Sequence, residues 1–78
     1  MTLYKLTNSM CLQGNIFITV FDSSGRECEH IALQDVDDLN SKYYCDLDDL
    51  DDLEITHMYA MHEYCTTYMH IDLVREND

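Results

Sequence analysis

Hydrophobic and polar positions separate most clearly over residues 15–21. There Ile16, Ile18 and Val20 share one side of an extended chain, and Phe17, Thr19 and Phe21 share the other. This β-branched and aromatic run predicts a strand. Asp22, Ser23, Ser24 and Gly25 supply turn chemistry, with Gly25 free to take a positive φ. Residues 27–33 then predict the return strand of a hairpin. Both sides of the first strand are apolar, which predicts a central strand or one covered on both faces. Upstream, residues 2–7 set Leu3, Lys5 and Thr7 against Tyr4 and Leu6, an alternation that predicts another strand. Residues 8–14 turn the chain into the hairpin, with Met10 and Leu12 expected inward.

Downstream, residues 34–40 have a helix-like or turn-like pattern, with Val36 and Leu39 three apart. Tyr43, Tyr44 and Cys45 suit a short strand. Residues 46–53 place Leu47, Leu50 and Leu53 at steps of three, which suits one face of a short helical turn or a leucine-anchored loop. The aspartates between them must then point outward. Residues 54–60 and 67–74 alternate again and predict two more strands joined through 61–66, with Met69, Ile71 and Leu73 facing one way. A helix over 56–66, with Met58, Met61, His62 and Cys65 on one face, is the competing reading. The fold class expected is mainly β or α+β. It is a single antiparallel sheet of about four to five strands with a short helical turn or loop in the Asp-rich segment. Residues 1–78 form one domain with no linker.

The length of 78 residues limits the chain to one core, and 46% hydrophobic residues are enough to form it. Charge changes the picture more. Sixteen carboxylates face four Lys and Arg, for a net charge of −12. Lys5, Arg26, Lys42 and Arg75 are too few and too scattered to make a basic face, so direct binding to nucleic acid or anionic membrane is not expected. Basic proteins or cations are the natural partners. The residues at the N-terminus lack the features of a signal peptide, and no apolar run approaches a membrane span. The expectation is a cytoplasmic protein whose four cysteines are thiols acting as small buried hydrophobes.

The carboxylates are not spread evenly. Nine of the sixteen are Asp35, Asp37, Asp38, Asp46, Asp48, Asp49, Asp51, Asp52 and Glu54. Tyr43 and Tyr44 stand between the two clusters, where aromatic anchors inside a charged rim suit a binding face. Side by side, the clusters would present one negative face able to imitate a phosphate backbone. A calcium loop of the EF-hand type is not formed, because counting from Asp46 puts Leu50 at position 5 and Asp51 at position 6. Zinc is a weaker alternative. Cys28-x-His30 and His62-x-x-Cys65 are the only local pairs, and no finger spacing is present. No nucleophile elbow, phosphate-binding glycine loop or metalloprotease motif occurs, so no enzyme activity and no cofactor are expected.

In size, in its −12 charge, in the hairpin and in the Asp-rich stretch 35–54, the chain resembles the small acidic β-rich proteins that phages and mobile elements carry against host nucleic-acid machinery. These are the anti-CRISPR proteins and the DNA mimics. The likeness covers no diagnostic motif and implies a mode of action, not a fold. It implies a non-enzymatic inhibitor whose acidic face occupies the basic nucleic-acid-binding surface of a CRISPR effector or similar enzyme. The alternative is a small interaction module that forms a homodimer through a strand edge.

Overall fold

Thr2 caps the first element and shows why it is not the expected strand. Its Oγ1 accepts the amide hydrogen of Lys5 at 3.2 Å, which starts a helix, α1 (Leu3–Ser9). Leu3, Leu6 and Thr7 are buried at helical spacing and override the weaker alternation. A helix of seven residues does not stand alone. It is held by its packing and by two of its free amides, Leu3 to the Leu53 carbonyl (3.1 Å) and Tyr4 to the Asp51 carbonyl (3.0 Å). The computed structural model describes residues 1–40, 44–63 and 65–75.

Strand β1 (Gly14–Asp22) follows, then β2 (Glu27–Val36), a 3-10 helix (Cys45–Leu50), β3 (Glu54–Glu63) and β4 (Thr66–Arg75). The strands form one mixed sheet in the order β2-β1-β4-β3. Both hairpins, β1–β2 and β3–β4, are antiparallel. They are joined by a parallel pairing of β1 with β4, from Asn15 opposite Tyr68 to Asp22 opposite Arg75. The sheet is therefore mainly β as expected but not wholly antiparallel. β1 is central, also as expected.

Several boundaries move. Val36 ends β2, so the helix-like pattern at 34–40 is partly strand. Tyr44 and Cys45 are not strand; Cys45 opens the 3-10 helix and Tyr43 lies outside the described residues. The strands of the second hairpin run to Glu63 and from Thr66, so most of the expected connection at 61–66 is sheet. Met10 is 51% exposed, whereas Leu12 packs on the core. Cys11, Cys28 and Cys65 are exposed thiols, not core residues.

The turn of the first hairpin is built by Asp22. Its carboxylate accepts from the Ser24 hydroxyl (2.6 Å), the Ser24 amide (3.0 Å) and the Arg26 amide (3.0 Å), while Gly25 takes φ 88°. The Ser24 side-chain bond and then the Arg26 amide hold the Asp22 carboxyl below the usual carboxylate range. A carboxylate with a lowered folded pKa stabilises the fold above its unfolded pKa, and the effect vanishes as pH falls through the folded value. In chemical denaturation, Asp22→Asn should thus differ from the parent most at neutral pH. The two should converge in acid; a difference that persists unchanged in acid would show that ionisation of Asp22 is irrelevant.

Among the described residues, only one face of the sheet is covered. Ile16, Ile18, Val20, Ile71 and Leu73 point to that side and are fully buried under Leu3, Leu39, Leu47 and Leu50. The cover follows from the strand order. The chain leaves β2 at one edge and must re-enter β3 at the other, three strand spacings or roughly 14 Å away. On either side of that crossing, Leu39 in 37–40 and Leu47 and Leu50 in 44–53 pack over the apolar face.

Candidate acidic interface

The crossing is the acidic segment. Its 3-10 helix has three residues per turn, so leucines at steps of three fall in one row. Leu47 and Leu50 are wholly buried, and Leu53 packs against the core more loosely. Asp48, Asp49 and Asp52 are exposed and Asp51 is half-buried. Between the leucine anchors, Asp48, Asp49 and Asp52 therefore face outward as expected, whereas Asp51 is drawn partly in. Asp46 belongs to the same 3-10 helix, which spans Cys45–Leu50. Tyr44, expected as an aromatic anchor for a partner, is half-buried against the core, and its carbonyl accepts the Leu47 amide at 3.0 Å. Glu54 accepts from the N-terminal ammonium at 2.9 Å; both groups are about half exposed, so the pair adds little stability.

The first cluster has a different origin. Asp35 sits near the end of β2 with φ 54°, at a register shift where β2 carries one residue more than β1. Its amide donates to Asn15 Oδ1 at 3.2 Å. Asp37 is exposed and Asp38 half-buried. The two clusters are anchored at opposite ends of α1. The 51–54 end is tied to the helix start through the Asp51 and Leu53 carbonyls. Beyond the helix end, the Leu39 amide donates to the Leu12 carbonyl (3.0 Å) and the Cys11 thiol to the Asp37 carbonyl (3.3 Å). A seven-residue helix is roughly 10 Å long. The described segments 37–40 and 44–53 are therefore tied near opposite ends of α1, whereas Asp35 and Glu54 lie in strands of the sheet.

The pairs that would supply zinc ligands lie far apart. Cys28 and His30 are on β2, while His62 on β3 and Cys65 in the turn after it are at the opposite edge, with two strands between. No group of three His, Cys, Asp or Glu among the described residues is placed to hold a metal.

The uncovered face of the sheet carries a second surface that the sequence reading did not single out. His30, Phe17, His70 and Tyr59 form a row of stacked rings across all four strands, with centroids 5.6, 5.3 and 5.0 Å apart. The Phe17–Thr19–Phe21 alternation was the available signal. The row itself depends on strand order, since the four residues come from both hairpins. Compared with known protein families, curated proteins and solved structures, the chain shows no match. No helix among the described residues is long and apolar enough to cross a membrane.

Proposed function

We propose that the protein is a non-enzymatic inhibitor that places its acidic crossing in the basic nucleic-acid-binding channel of a CRISPR effector or similar enzyme. One observation carries the reading: Leu47 and Leu50, fully buried, hold an ordered segment on which Asp48, Asp49 and Asp52 are all exposed. Mutual repulsion among these groups costs stability in a chain of net charge −12, and a cationic partner meeting them would relieve that cost. Ordered carboxylates lose little conformational freedom on binding and steer a cationic partner into contact.

The test uses a guide-loaded CRISPR nuclease, titrated with the protein and read by binding and by cleavage of target DNA. Binding should compete with duplex DNA and weaken steeply as salt rises. Binding that ignores both DNA and salt would remove the basis for the proposal.

A further inference from the structure

Strand β3 forms one edge of the sheet. At its start that edge is covered by the N-terminal residues, where Thr2 bridges Glu54 and the Ile55 amide donates to the Met1 carbonyl at 2.8 Å; among the described residues no backbone pairs with that edge from His57 onward. All its residues except Ile55 are exposed. From Ile55 to His62 it contains no Asp, Glu, Lys or Arg, in a chain where sixteen of 78 residues are carboxylates. Met58, Tyr59 and Met61 are 44%, 43% and 39% exposed and make up half of the large hydrophobics left on the surface among the described residues. Its register shift lies at its start, between Ile55 and His57, which leaves His57 to Glu63 regular.

The opposite edge is built differently. β2 carries Glu27, Glu29 and Asp35, has register shifts near both ends, and holds Arg75 Nη2 3.4 Å from Glu29. Charges and bulges of this kind keep natural sheet edges from pairing with other chains. From His57 to His62 β3 lacks such charges, and only Glu63 closes the regular stretch.

We propose that β3 pairs antiparallel with β3 of a second copy, joining two four-stranded sheets into one of eight strands. Charge selects this occupant. Two molecules of net charge −12 approach most easily where neither is charged, and residues 55–62 of β3 are such a strip on an exposed edge. A cationic partner would find no carboxylate between Ile55 and His62 to attract it. Antiparallel pairing of a strand with itself is isologous, so it closes as a dimer and does not extend into a fibre. The regular stretch centres on Ala60. Pairing about Ala60 sets Tyr59 opposite Met61 of the partner subunit, a favourable sulfur–aromatic contact, and His57 opposite Glu63 of the partner subunit. Main-chain hydrogen bonds supply most of the affinity. This inference does not depend on the inhibitor reading.

Sedimentation equilibrium over a range of concentrations should show the mass rising from one chain to two. The association should strengthen with salt, because screening reduces repulsion between like-charged copies. Binding through the acidic crossing has the opposite salt response, so the two interactions are separable. Met58→Lys combined with Met61→Lys should weaken dimerisation at least about tenfold. Because these changes move the net charge from −12 towards −10, the loss cannot come from greater overall repulsion. Ala32→Lys, on β2, should leave the dimer unchanged. Hydrogen exchange of the parent protein gives a readout that needs no variant: amides of residues 57–63 should gain protection with concentration, and those of β2 should not. A parent that stays monomeric at high concentration and high salt overturns the proposal. So does a double lysine variant that still dimerises, or exchange at 57–63 that is indifferent to concentration.

Discussion

Replacing Leu50 with alanine should cost about 2–5 kcal/mol of folding stability, read from the chemical denaturation midpoint. Leu50 is completely buried and closes the 3-10 helix, where its carbonyl accepts the Leu53 amide at 3.1 Å. A domain of this length has about 4–12 kcal/mol in total, so the loss takes a large share of it. The cavity would sit between the crossing and the sheet. The crossing should therefore loosen first, since repulsion among its aspartates already pushes it outward. Amide protection at residues 47–53 should fall before protection in β1. Leu53→Ala, at a half-buried site, should cost clearly less than Leu50→Ala. Equal losses at the two positions, or no loss at Leu50, would mean that the leucines do not anchor the segment.

Exchanging Asp48, Asp49 and Asp52 together for asparagine should weaken binding to the proposed basic partner by about 2 kcal/mol, on the order of thirtyfold. All three are exposed, so the fold does not depend on burying them. Asp51 is left in place because it is half-buried. The substitution moves the net charge from −12 to −9 and relieves repulsion in the compact state, so the midpoint of thermal unfolding should hold or rise. Affinity and stability are then expected to move in opposite directions. Greater stability with unchanged affinity would separate the aspartates from partner binding. Dimerisation through β3 should not weaken in this variant, because the substituted residues are outside that strand.

The sequence showed the anchoring of the acidic segment unusually directly. Leucines at steps of three have few ways to be buried other than one row of a tight helix, and most charged residues between them, here Asp48, Asp49 and Asp52, then face water. The first hairpin was legible for a similar local reason. A β-branched run, an Asp and Gly turn and a return run are all signals carried within neighbouring residues. The helix at Leu3–Ser9 was missed because over so few residues Leu3 and Leu6 fit a half-buried strand nearly as well as a helix. The deciding cues were the Thr2 cap and the capping of two amides by carbonyls about fifty residues away, which no local pattern reveals. The cysteines were misread for want of topology: Cys28 falls on an edge strand and Cys65 in a tight turn at φ 65°.

What the chain determined by itself was the acidity, its concentration in residues 35–54, and the leucine row that keeps that stretch against a core. Those features depend on composition and short-range spacing. The tertiary structure decided what the stretch is for in the architecture. Parallel pairing of β1 with β4 puts β2 and β3 at opposite edges, so the acidic segment must cross the apolar face to connect them. The same pairing leaves one face uncovered among the described residues, gathers four rings from two hairpins into one row, and puts the uncharged run 55–62 on an edge strand. Strand order is set by contacts between residues distant in sequence, where burial of the shared core outweighs any local preference.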